Sequence, residues 1–306
     1  MTLSLSTMWA QQDRFVADMH LFVRETLALG YDAIEVSHST ATAQFERLMS
    51  YPGGVPISSI HAPAPLVRDT ANKSNGSLNL ASTDDDERRA AIDYTKGSID
   101  LTKQAGGRYV VVHLGGVGSS IFEPEREMRR LFDSGTHEGE RMQELRAQCH
   151  RLRAGQAAPW LDAARTTLRE LAAHAEAAGV ALGIENRLHY HEIPQPAECA
   201  ALLAGYPPEI AGYWHDVGHA EVQWRLGLVD KRLWLDTNGA RCIGSHLHDV
   251  DGIGDHRGPG NGDVEWGYIA AGIPAAALRV FEINQSQPPE AVSGAIPFLR
   301  ERGVIA

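Results

Sequence analysis

Short apolar runs alternate with longer amphipathic stretches along the whole chain. The runs cover Leu3–Ser6, Ala33–Val36, Ile57–His61, Tyr109–Leu114, Ala181–Glu185, Gly212–Asp216, Ile243–Asp249 and Leu278–Ile283. Their length suits strands of a parallel sheet buried on both faces. Between them, apolar residues recur at three- and four-residue steps, for example over Glu87–Ala105, Trp160–Ala178 and Pro289–Arg302, as on the packed face of a helix. Eight β/α units result, the number that closes a parallel (β/α)8 barrel, and residues 1–306 are expected to form that one α/β domain.

Two stretches interrupt the rhythm. Residues 68–86, rich in Asn, Ser, Asp and Gly, predict a long loop after the third strand, ending in the acidic helix start Thr83-Asp84-Asp85-Asp86. After the fourth strand, Gly115–Pro159 brings a glycine-rich loop and a charged helical insertion, roughly 118–158, with its helix over Glu125–Leu152. Both follow strand C-termini, the barrel face on which insertions shape pockets and lids. An insertion that merely caps the barrel or joins two copies into a homo-oligomer has the same sequence.

The histidines and carboxylates sharpen this picture. His61, His113, Glu185, Asp216, His246, His248 and Glu282 fall at the ends of the apolar runs. Strand alternation sets His61 with Ser59, His113 with Val111, and His246 with His248. Each can face the barrel mouth while its neighbours anchor the strand. Singly, a strand-end histidine is usually a hydrogen-bonded core residue, and a glutamate there could pair with an arginine such as Arg187. Repeated over successive strands, the pattern predicts one metal centre, because buried carboxylates and clustered histidines are costly without a cation. Ligands of this mixed kind without thiolate suit Zn or Mn, then Co or Fe, with Mg less suited to imidazole. His20, His38, His137, His150 and His174 lie on predicted helices or loops and are expected to be solvated.

Composition narrows the setting. With 43% apolar and 22% charged residues the chain can bury a large core, and no apolar run is long enough for a membrane span. The start, MTLSLSTMWAQQD, lacks a basic n-region and a long apolar h-region, and Cys149, Cys199 and Cys242 follow no metal or disulfide spacing. A cytoplasmic protein is expected. The net charge of -11 weighs against nucleic acid and anionic membrane as partners and leaves a small molecule favoured.

The runs Ser59-Ile60-His61-Ala62-Pro63, Val112-His113-Leu114-Gly115, Ile184-Glu185-Asn186, Asp216-Val217-Gly218-His219, His246-Leu247-His248-Asp249, His256 through Pro259-Gly260-Asn261-Gly262, and Phe281-Glu282 span nearly the whole chain. In that order the sequence resembles the xylose isomerase-like TIM-barrel superfamily, which joins sugar isomerases and epimerases to endonuclease IV (AP endonuclease family 2). In the isomerase branch the resemblance implies a sugar or sugar-phosphate substrate and one metal on Glu185, Asp216, His246 and Glu282. Glu185 and Glu282 then move protons through a metal-stabilised enediolate, with His219 near a substrate oxygen and Asn186, Arg187 and His248 as substrate contacts. In the endonuclease branch it implies a phosphodiesterase with three zinc ions: one on His61, His113 and Glu185, one on Glu185, Asp216, His246 and Glu282, and one on His219 and His256. The implied ion count is therefore one to three.

The chain departs from both patterns. Gly254 stands where the endonuclease branch has an aspartate, so a third ion would need Asp255 or Asp249; many epimerases have arginine in place of His256. A noncatalytic metal-stabilised binding protein is the third class, and would need no facing glutamate pair. The segment Leu188–Pro194 could contact substrate or be a rigid loop. Pro259–Gly262 could cradle an anion or form a tight turn, and Trp214, Trp224, Trp234 and Trp266 could line a pocket or pack the core.

Overall fold

The computed structural model describes every residue from Met1 to Ala306. Eight strands pair in parallel around a closed barrel: β1 (Leu3–Ser6), β2 (Ala33–Val36), β3 (Ile57–His61), β4 (Tyr109–Val112), β5 (Ala181–Glu185), β6 (Ala211–Asp216), β7 (Cys242–Leu247) and, after the hairpin β8 (Asp249–Asp251) and β9 (Gly254–Arg257), β10 (Leu278–Phe281). Strand alternation divides the side chains. Val110, Val112, Leu182, Ile184, Leu247 and Phe281 face the helical layer and join the main core, while Val111, Trp214, Leu278 and Val280 form a separate apolar plug inside the barrel.

The plug explains two glycines. A Cβ on Gly244 would lie 2.1 Å from Cζ3 of Trp214, and one on Gly183 2.6 Å from its Cε3. The indole fits because the neighbouring strands carry no side chain there. It closes the lower barrel, so the charged residues one step further along the strands sit on an apolar floor.

The expected elements are present, with differences at their ends. β4 stops at Val112 and β10 at Phe281, which puts His113 and Glu282 one residue beyond their strands. The run Ile243–Asp249 divides, because the chain turns after Leu247 into the β8–β9 hairpin. The insertion is a helix over Glu123–Asp133 followed by a 39-residue helix, Glu140–Ala178, that absorbs both the rest of the insertion and the barrel helix, Pro159 included. The expected helix over Pro289–Arg302 is two, Pro289–Ser293 and Ala295–Glu301, meeting at Gly294. No helix is long and apolar enough to cross a membrane.

Trp214, Trp234 and Trp266 are buried, and Trp224 is exposed with Lys231 Nζ 3.9 Å above its ring. In Pro259–Gly262 the Gly260 amide donates to Asp249 (2.8 Å) and the Asn261 amide to the Gly258 carbonyl (2.9 Å), which makes the segment a turn fastened to the barrel. Because the plug leaves no room beside the indole, Gly244→Ala overpacks the interior and should lower stability by about 1–3 kcal/mol. Urea unfolding measures this, and an unchanged midpoint would contradict it.

Candidate metal centre and active-site cleft

The strand C-termini bring together side chains that are far apart in sequence. Glu185, Asp216, His246 and Glu282 each offer one ligand atom to a group whose atoms lie within 4.8 Å of one another, and all four are buried. Nδ1 of His246 is the common point, 2.8 Å from Glu185 Oε1, 3.1 Å from Glu282 Oε2 and 3.6 Å from Asp216 Oδ2. Behind it, Nε2 meets Oε1 of Glu35 at 2.9 Å, and the other Glu35 oxygen accepts from Ser59 Oγ at 2.7 Å. A carboxylate that accepts a hydrogen bond from Nε2–H orients the ring and turns Nδ1 toward the three acids, where it donates when protonated and is available as a ligand when not.

Four further groups adjoin the first: Glu35 with His61, His246 and Glu282, Asp216 with His248, His256 and Glu282, and two more. His61, His113 and Glu185 form one, with the two imidazole Nε2 atoms 2.6 Å apart and His113 Nε2 2.5 Å from Glu185 Oε2. The Arg187 guanidinium projects into this corner, contacting His113 Nε2 and, at 3.3 Å, Glu185 Oε2, and is held from behind by Glu192 at 3.0 Å. His219, His256 and Asp255 form the other. Asp255 thus supplies the carboxylate that Gly254 lacks, whereas Asp249 accepts from the amides of Val250, Gly260 and Val264. His256 has φ of 56°, a strained left-handed setting for a non-glycine residue, and its amide donates to His248 Nδ1 at 2.9 Å.

Two expected substrate contacts, and one histidine expected in solvent, need a different account. His248 is fully buried, with Nδ1 accepting from the His256 amide and Nε2 3.0 Å from Asp216, in a group with His256 and Glu282. Asn186 is also buried, spanning the Asp216 backbone with its amide (2.8 Å) and accepting from Tyr213 at 2.9 Å. Both stand behind Asp216. His38 is half-buried rather than free in solvent: its ring lies 4.8 Å from that of His61 and lines the cleft.

Charge is arranged to match. Burial alone would push His246 down, but Glu282, Glu35 and Glu185 hold its imidazolium well above the usual histidine range. Burial likewise opposes the charged form of His61, yet Glu185 and Glu282 raise it to about 9. His256 is raised in the same way by Asp255 and Glu282. Burial, then Arg187 and His61, keep His113 neutral, and burial with His61 lowers His38 to about 3.

The cleft above the ligands has a volume of about 330 Å³ and is lined by Arg187, His189, His219 and His256 among others. Larger hollows lie around Arg108 and Ile243 at the other end of the barrel, and beside Trp224 (780 Å³), but no set of ligands converges in either.

The model of the xylose isomerase-like TIM barrel family matches residues 23–302. The chain belongs to that family. Among solved structures, a D-tagatose 3-epimerase-like protein is 18% identical with a TM-score of 0.66, 99% of this chain and 97% of that one being covered. D-psicose 3-epimerase from Clostridium cellulolyticum, solved with D-tagatose, is 14% identical (TM-score 0.65, all of both chains). The TTHB071 protein from Thermus thermophilus, soaked with ZnCl2, is 20% identical (TM-score 0.59, 99% and 98% covered). At these identities the likeness shows the fold. No curated protein sequence matches the chain.

The donor set fits a divalent cation. Glu282 Oε1 and His61 Nδ1, 3.4 Å apart, and Asp255 Oδ2 are buried polar atoms that make no hydrogen bond, and such mixed oxygen and imidazole donors suit a divalent cation. Such an ion replaces the His246 proton, so loading at pH 7.5 should release about one proton per tightly bound ion. A pH-stat titration reads this. Glu282→Gln should weaken retention after dialysis, and uptake with no proton released would contradict the assignment.

Proposed function

We propose that the chain is a metal-dependent sugar isomerase or epimerase that moves a proton at the carbon beside a substrate carbonyl. The observation that carries the reading is the glutamate pair. Glu185 and Glu282 each turn one oxygen to His246, while Glu185 Oε2 meets His113 and Arg187 and Glu282 Oε1 lies 3.4 Å from His61 Nδ1. The second oxygens are the proton carriers: one takes the proton from carbon, and the other returns a proton to the same carbon from its opposite face or to the neighbouring one. A cation held by Glu185, Asp216, His246 and Glu282 supplies Lewis-acid polarisation of the carbonyl.

Other residues orient the substrate. His219 Nδ1 donates to the Asn186 carbonyl at 3.0 Å, which leaves Nε2 as an acceptor for a sugar hydroxyl. Arg187 is the one Lys or Arg lining the cleft, and its charge is met by Glu192 and Glu185. An uncharged sugar therefore fits better than its phosphate ester. The neighbours described as tagatose and psicose 3-epimerases support the same substrate class.

The His219–Asp255–His256 group favours a second reading, a multinuclear zinc phosphodiesterase. Arg187 counts against it, since its guanidinium stands in the corner where His61 and His113 would hold an ion. Reaction in heavy water separates the two. The metal-loaded protein should introduce deuterium beside the carbonyl of a ketohexose such as D-tagatose, and Glu185→Gln or Glu282→Gln should lower turnover by about a thousandfold. Hydrolysis of bis(p-nitrophenyl) phosphate without exchange into any ketohexose would overturn the reading.

A further inference from the structure

The wall of the cleft formed by Leu188, His189 and Glu192 is held by the insertion helix Glu123–Asp133. Glu125 of that helix is fully buried, and it accepts from His189 Nδ1 at 2.9 Å, from the Tyr190 amide at 2.9 Å and from Arg129 Nε at 3.1 Å. Arg129 also reaches the Leu188 carbonyl at 3.3 Å, and the His189 amide donates to Glu192 at 2.8 Å. Leu188 and His189 are thus fastened from two sides. Burying a carboxylate carries a large desolvation penalty, which a loop that only closes a barrel does not require.

Its consequence is at the imidazole. His189 is about 30% exposed, lines the cleft, and has no protein partner at Nε2. With Nδ1–H committed to Glu125, the other nitrogen is left as an acceptor on a ring that lines the cleft, the arrangement in which a carboxylate orients a histidine for work.

We propose that His189 is a substrate-binding, specificity-determining residue, that Glu125 is its positioning residue, and that the insertion exists to present this pair. His189 Nε2 accepts a hydrogen bond from a hydroxyl of the sugar on the cleft wall away from the metal ligands. The insertion is then part of the binding site, which a capping role alone does not require. This rests on the sugar reading of the cleft.

The test uses the metal-loaded full chain and D-tagatose at chemical equilibrium with its products. Long-range 1H–15N spectra of the histidine rings should show His189 in the Nδ1–H form, with Nε2 shifting as sugar is added. In the activity assay, His189→Gln should raise KM about tenfold, roughly one hydrogen bond, with kcat within about threefold. Glu125→Gln should change the His189 tautomer ratio and raise KM in the same direction. Turnover with wild-type KM in His189→Gln and an unmoved Nε2 signal overturns the proposal while the isomerase reading stands. A sugar-induced Nε2 shift without turnover upholds the contact and defeats the activity. An Nε2–H form in the free protein, or no sugar response in either assay, overturns the proposal.

Discussion

Three carboxylates share one imidazole nitrogen at the floor of this cleft. Glu185, Asp216 and Glu282 approach Nδ1 of His246 in a setting from which water is excluded. Like charges this close repel strongly in a low dielectric, and the folded chain tolerates them only with positive charge at their centre. The neighbouring carboxylates favour protons on His61, His246 and His256, whose imidazolium forms they hold above the usual histidine range. A divalent ion concentrates the same charge at one point and leaves oxygen atoms available for chemistry. The second layer follows from this. Glu35 orients the His246 ring, while His248 and Asn186 brace Asp216.

The barrel makes such crowding tolerable by separating it from the forces that fold the chain. Outward strand residues pack against helices in the main core, and the Trp214 plug fills the lower interior. The acidic layer then sits on a rigid floor, with its approach angles set by strand register: Asp216 pairs beside His246, and His246 beside Val280, two residues before Glu282. Side chains on elements this stiff lose little entropy when they bind an ion or a sugar.

The sequence showed the barrel and most of the ionisable residues that cluster at its mouth for one physical reason. Parallel strands are apolar throughout, so an ionisable residue at the end of each run stands out, and Glu185, Asp216, His246 and Glu282 do so. Glu35 was missed because it lies inside its run, between Ile34 and Val36, and its partner His246 is 211 residues away. His38 carries no local mark in Ser37-His38-Ser39, and only the barrel curvature brings it beside His61. His248 and Asn186 have the residue types of substrate contacts, but backbone and carboxylate partners claim them. Glu125 and His189 belong to segments that follow different strands, and their contact depends on how the helix Glu123–Asp133, which carries Glu125, packs against the loop of His189.

The central claim is that the carboxylates around His246 exist to hold a cation. Crystals of the protein stripped with chelator and reloaded with Mn or Zn, measured at the metal's absorption edge, test it most directly. The account predicts a strong anomalous peak about 2.0–2.3 Å from His246 Nδ1 and from an oxygen of each of Glu185, Asp216 and Glu282. A map with no peak there, or with the strongest peak against His61 and His113 in place of the Arg187 guanidinium, would contradict it.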